Sequence, residues 1–229
     1  VPPPLLGFIL GILVLLIMNC SKFVGKRKVV WDLCSGLGGW TEAFAQSDWV
    51  VIRIESNPDL EHVPFTRIWD IHNWMDWIDE LPHPDLIVAG PPCQEFSTAD
   101  WRKDRNDRFR FPEKYPELLH AIENVKTCLD IIDYIKPTWW LLENVRGAIP
   151  YFRKFIPRLK PFRQALGPKQ HQQFYLWGNF PYISMKPRAL EGHRKLDVSD
   201  SQQRALIPFE ISFELKRAIE GTIRIDRWL

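Results

Sequence analysis

Clustered cysteines are missing from this 229-residue chain. Its four, Cys20, Cys34, Cys93 and Cys128, lie far apart, with no CxxC pair and no histidine at ligand spacing. Neither a disulfide framework nor a structural zinc site is indicated, and no metal is expected. A dominant charge of one sign is missing too: 30 Lys and Arg against 28 Asp and Glu leave +2. Any nucleic-acid contact must therefore come from a local patch, not a global field. Repeats and low-complexity segments are absent. No apolar run reaches the roughly 20 residues that span a bilayer. The run at Leu5–Met18 has 14 uncharged residues. Lys22, Lys26, Arg27 and Lys28 follow it, whereas a secretory signal carries its positive charge in front. Residues 1–28 are expected to be a separate apolar segment, either an over-read start or a loosely attached helix. Membrane anchoring by residues 5–18 is the less favoured alternative, because nothing in the rest of the chain needs a membrane; a cytoplasmic protein is expected.

What remains is ordinary for a folded domain, with 45% hydrophobic and 25% charged residues, but rich in Trp (11) and Pro (19). From Val29 the chain alternates short apolar runs with longer amphipathic ones. Strands are expected at Val29–Leu33, Val50–Ile54, Phe65–Trp69, Leu86–Ala89 and Trp139–Leu142. Helices are expected at Trp40–Gln46, His72–Leu81 and Leu118–Ile135, the last stopped by Pro137. Alternation of this kind implies an α/β fold, a mostly parallel sheet with helices on both faces. The Trp-rich faces (Trp69, Trp74, Trp77, Trp139, Trp140) are read as core.

In such sheets ligands bind at the carboxyl ends of the strands. Chemistry-capable residues fall at each of those ends. Asp32, Cys34, Ser35, Gly36, Leu37, Gly38 and Gly39 follow the first strand and lead to Trp40 at the start of a helix. Glycine there lets backbone approach a ligand closely, although a GxG turn is also a plain tight connection, and the full GxGxxG is absent because Thr41 and Glu42 follow. Glu55 ends the second strand, 17 residues beyond Gly38, where a carboxylate can accept from two ribose hydroxyls. Asp70 with Ile71 can bond an exocyclic adenine amine and pack on the ring; Asp70 is equally well placed as a helix N-cap. Together these residues suggest an adenosine-bearing cofactor.

The most specific stretch is Gly90-Pro91-Pro92-Cys93-Gln94-Glu95-Phe96-Ser97. Two prolines fix φ and stiffen the turn, holding Cys93 at the mouth of the sheet as a candidate nucleophile. Fifty residues on, Glu143-Asn144-Val145 closes the neighbouring apolar strand and would set a carboxylate beside the thiol.

With these motifs in this order, the chain resembles the DNA (cytosine-5) methyltransferases over roughly Val29 to Glu220. The resemblance implies a Rossmann-like fold dependent on S-adenosylmethionine. It implies cofactor contacts from the Asp32–Trp40 loop, Glu55, Asp70, Ile71, Gly90 and Pro92, with Glu210 and Ile211 on a helix that returns to the cofactor. It also implies Cys93 as nucleophile on C6, Glu143 as acid at N3 with Asn144 orienting it, and double-stranded DNA with the target base flipped out as the substrate. The pairing of PPCQ with ENV at this spacing is the strong part of the match.

Two departures stand out. The family's Gln-x-Arg-x-Arg pattern is replaced ahead of Gly178, leaving His171 and Gln173 where the arginines are usual. His171 is carried as a weaker stand-in, since imidazole lacks the permanent charge of a guanidinium. The recognition domain is reduced to a short basic vestige at 181–203 within a methyltransferase domain of residues 29–229. A separate recognition subunit is therefore a candidate partner. Trp101–Arg110, with five basic and two acidic residues, is expected as a mobile loop facing phosphate. The alternatives to DNA methylation are the same chemistry on RNA, or a non-catalytic or partner-dependent nucleic-acid-binding relative.

Overall fold

The computed structural model describes residues 27–97, 104–167, 173–184 and 206–225. His171, Trp101 and nearly all of segments 1–28 and 181–203 lie outside these. Seven strands form one sheet in the order β3-β2-β1-β4-β5-β7-β6. They are β1 Val29–Leu33, β2 Val50–Glu55, β3 Thr66–Ile68, β4 Leu86–Ala89, β5 Trp139–Asn144, β6 Gln164–Leu166 and β7 Phe174–Asn179. The first five are parallel; β7 runs antiparallel between β5 and β6. This is an α/β, Rossmann-like architecture, mostly parallel and covered on both faces.

Side chains alternate across a strand, and the two faces feed two cores. Val29, Trp31, Leu33, Ile52, Ile54, Ile87, Ala89 and Leu142 pack with α4 (Pro116–Ile135) and α5 (Ala148–Phe155). Val30, Val51, Leu86, Val88, Leu141 and Leu176 pack with α1 (Glu42–Ala45) and α6 (Phe209–Ile225). Helix α4 starts with Pro116, whose ring pre-sets a helical φ. It buries Leu118, Ala121, Ile122, Val125, Leu129 and Ile132 along one stripe and ends at Lys136 in a left-handed conformation, φ 55. Helix α6 buries Ile211, Leu215 and Ile219 at four-residue intervals.

Several expected elements differ in form. The helix expected at Trp40–Gln46 is a 3-10 turn, Gly39–Thr41, running into the four-residue α1. The third strand is only Thr66–Ile68, because Phe65 sits at φ 67 and is exposed. His72–Leu81 is not one helix but two 3-10 turns, Ile71–Asn73 and Ile78–Glu80, around α2 (Trp74–Trp77). The chain departs from helical geometry at Trp77, φ −125, whose indole N–H bonds back to the Asp70 carbonyl at 3.2 Å. Of the tryptophans read as core, Trp77 is buried and Trp69, Trp74, Trp139 and Trp140 are half-buried. The expected phosphate-facing loop is in part a helix: α3, Arg105–Arg110, capped by the Asp104 side chain. Arg108, one of the basic residues expected to face phosphate there, is buried.

Candidate active site

The carboxyl ends of β1 and β4 open side by side, since the Gly90 N–H donates to Leu33 O at 3.0 Å. Between β1 and β2 the loop is pinned by Ser35 N–H to Ile54 O at 3.1 Å. It then turns tightly: Gly38 N–H closes on Ser35 O at 2.8 Å. Cys34, Gly36 and Gly38 all take positive φ, 54, 52 and 74, so the loop is wound through left-handed conformations that glycine tolerates and a side chain resists. A Cβ on Gly36 would meet nothing within 4 Å, leaving open space on its outer side. A Cβ on Gly39 would lie 2.7 Å from Ile207 O, so only glycine lets the α6 segment come this close.

Glu55 leaves the end of β2 and folds back under this loop. Its Oε2 accepts from Gly36 N–H at 2.8 Å and its Oε1 from Asn57 N–H at 3.0 Å. A carboxylate has about four acceptor positions, so two remain for a ligand. Asp70 is an N-cap, accepting from His72 N–H at 2.9 Å through Oδ1; Ile71 beside it is buried in the larger core. Trp40 is buried next to Gly90, its Cδ1 4.0 Å from where a Gly90 Cβ would be. Among the described residues, Asp32 Oδ1, Ser35 Oγ and Trp40 Nε1 are buried polar atoms with no partner, and all three belong to this loop. Leu37 is half-buried and Pro92 exposed. Cys34 meets Cys128 of α4 across the core. The hydrogen bond between their thiols, then burial, hold the Cys34 thiol well above its ordinary range.

Helix α6 clamps the far side of the loop. Ser212 donates to Trp40 O at 2.7 Å and accepts from Ala43 N–H at 3.0 Å, with Ile211 buried and Glu210 half-buried beside it.

Cys93 follows β4 in irregular backbone after Pro91 and Pro92. Glu143 is the penultimate residue of β5, the strand next to β4. Burial and then the Glu143 charge push the Cys93 thiol up to about 11. Burial alone lifts the Glu143 carboxyl to about 8. The two acids thus share one poorly solvated spot, and at neutral pH each holds its proton. Asn144, fully buried, ties the two strand ends together: its Nδ2 donates to Pro91 O at 3.1 Å and its Oδ1 accepts from Val145 N–H at 2.9 Å. Gln173 takes the Tyr175 hydroxyl at 3.1 Å.

Three parts of this site escape a motif reading. Arg53 and Thr41 lie beneath the loop; the signal was a charged residue inside the apolar run Val50–Ile54. Ser212 is a serine on a buried helix face. The third is the ion pair of Arg108 with Glu95, which docks α3 on the turn that carries Cys93 while Arg108 also covers the Tyr115 ring at 4.8 Å.

Residues 29–154, more than half of the chain, match the family model described as C-5 cytosine-specific DNA methylase. The Type II methyltransferase M.AplI of Arthrospira platensis is 27% identical over 62% of this chain and 38% of its own length. M.HgiGI of Herpetosiphon aurantiacus, also a Type II methyltransferase, is 28% identical over 51% of this chain and 90% of its own. The chain thus spans well under half of the first relative and most of the second. The solved methyltransferase EhMeth of Entamoeba histolytica covers 77% of this chain and 62% of its own at 12% identity, with a TM-score of 0.45.

Proposed function

The chain belongs to the C-5 cytosine-specific DNA methylase family, and from that premise we propose that it methylates C5 of cytosine in DNA through a covalent adduct between Cys93 and C6. One observation carries the reading: the Cys93 thiol and a Glu143 carboxyl that keeps its proton near neutrality stand together at the ends of β4 and β5.

The chemistry asks for that pair. C5 of cytosine is a weak nucleophile. A Cys93 thiolate adding to C6 moves the ring electrons toward N3, and a protonated Glu143 supplies the proton there. The adduct is an enamine with nucleophilic C5. The thiol proton leaves to solvent as the base docks, since in the free protein Cys93 is almost wholly protonated at neutral pH. After substitution at C5, loss of the C5 proton to solvent water and elimination of the thiolate restore the ring, and Glu143 takes back its proton from N3. Asn144 holds the Pro91 carbonyl, and with it the turn that presents Cys93. Reaching C6 requires the cytosine to leave the stack, at a cost of a few kcal/mol.

The loop fits S-adenosylmethionine. Glu55 has acceptor positions to spare, Gly36 faces open space, and Ser35 and Trp40 present unpartnered polar atoms. The cofactor, when bound, supplies an electrophilic methyl group on a sulfonium. Asp32–Trp40, Glu55, Asp70, Ile71, Gly90, Pro92, Glu210 and Ile211 are the residues that would surround it. His171 and a partner subunit for target recognition remain part of the same proposal.

The test is mechanism-based trapping. Incubation with S-adenosylmethionine and duplex DNA containing 5-fluorocytosine should leave a denaturation-resistant complex, because fluorine at C5 blocks elimination. The complex should vanish with Cys93→Ser. Adduct on 5-fluorocytosine RNA in place of DNA would move the substrate to RNA. Adduct on neither would overturn the reading.

A further inference from the structure

We infer that Arg53 is the positioning residue of the cofactor loop: it fixes which way the Gly38–Gly39 peptide faces and locks that loop to the β2–β3 connection. This rests on the loop being the cofactor site, as proposed above.

An arginine at the centre of a parallel strand, 1% exposed, is costly unless its donors are met. Arg53 meets them on two segments, the β1–α1 loop and the β2–β3 connection. Nε donates to Thr41 Oγ1 at 2.9 Å, Nη2 to Gly38 O at 3.0 Å and to Glu42 Oε2 at 3.3 Å, and Nη1 to Pro64 O at 3.0 Å. Thr41 passes its own proton to Asp32 Oδ2 at 2.8 Å. Asp32 is the register partner of Arg53 on β1, and both lie on the face where α1 begins.

Two features make this more than packing. The guanidinium occupies the place a Gly38 side chain would take, with Cζ 2.3 Å from an ideal Cβ, so loop and arginine are shaped to each other. In a trans peptide C=O and N–H point in opposite directions. Gly38 O is held inward by Arg53 at 3.0 Å together with the Thr41 N–H at 3.2 Å, which turns the Gly39 N–H away from the guanidinium. The fork also joins Gly38, Thr41 and Glu42, which follow β1, to Pro64 in the β2–β3 connection. A lysine, with one nitrogen, cannot span those acceptors.

The test uses S-adenosylhomocysteine, an unreactive probe, titrated calorimetrically into the full chain, alongside steady-state kinetics. Arg53→Met should weaken binding by about tenfold or more, the scale for losing hydrogen bonds to a charged group. KM for the methyl donor should rise, and KM for DNA should stay within about twofold, since uniform binding of one ligand alone is lost. Arg53→Lys should recover less than half of the loss on a logarithmic scale. Thr41→Val, which removes the Nε acceptor and the donor to Asp32, should weaken binding in the same direction and decides the matter if Arg53→Met does not fold. Wild-type affinity in a folded Arg53→Met or, failing that, in Thr41→Val overturns the inference. So does a fall in kcat with KM unmoved. If the wild-type chain itself fails to bind the probe, the cofactor reading falls and this inference with it.

Discussion

Removing the Glu143 charge should unmask Cys93 in a pH-dependent way that needs neither DNA nor cofactor. Thiol alkylation by iodoacetamide follows the thiolate. With the Cys93 thiol at about 11, about one molecule in 10³ is thiolate at pH 8. Burial is the larger cause and survives the substitution. The Glu143 charge is the second, and a like charge at close range moves a pKa by about one unit or more. Glu143 itself titrates at about 8, so its repulsion appears only as pH rises through that value. At pH 7 Glu143 is neutral, and Glu143→Gln should alkylate within about twofold of the wild-type rate. By pH 9.5 the carboxylate opposes thiolate formation in the wild type only, and the variant should react about tenfold faster. The readout is carboxamidomethylation of the Cys93 peptide by mass spectrometry, which separates it from Cys20, Cys34 and Cys128. A rate ratio that stays at one from pH 6 to pH 10 would refute the electrostatic pairing of the two side chains.

Glu143→Gln should also stabilise the free protein. The unfolded carboxyl ionises near 4.5 and the folded one near 8, so the wild type loses stability as pH rises through that window, while glutamine does not titrate. At pH 8 a shift of that size corresponds to about 4 kcal/mol, or roughly 8–16 °C in Tm by thermal melting; an equal or lower Tm would count against it. Glu95→Gln should destabilise more than Arg108→Met in urea titrations, because the first leaves a buried guanidinium unpaired and the second leaves a carboxylate nearer solvent. Gly38→Ala should cost about 2 kcal/mol or more, since φ 74 and displacement of the Arg53 guanidinium both oppose a methyl group; a neutral melt would contradict it. Ser212→Ala should cost about 1–3 kcal/mol by leaving Ala43 N–H unsatisfied, measured the same way.

Strand positions were legible because buried parallel strands are short apolar runs, and β1, β2, β4 and β5 all lie where those runs fall. The helices were less so. His72–Leu81 carries a helical stripe, yet the Trp77 contact to Asp70 O breaks it, a tertiary effect that periodicity does not encode. The Arg105–Arg110 segment reads as a basic loop open to phosphate, but Glu95 and Tyr115 draw Arg108 inward.

The sequence by itself determined the order of chemistry along the chain: a glycine loop, acids at strand ends, a diproline-held thiol and a Glu-Asn pair, each following an apolar run. Parallel topology then obliges those ends to meet at one edge. Only the tertiary structure decided how they are held. The order of strands puts β4 beside β5, so Cys93 and Glu143 share a dry environment that moves both their proton affinities. Register sets Arg53 opposite Asp32, and the return of α6 brings Ser212 onto Trp40 from 172 residues away in the chain. Burial, register and long-range contact belong to the packed molecule, and no local pattern of residues carries them.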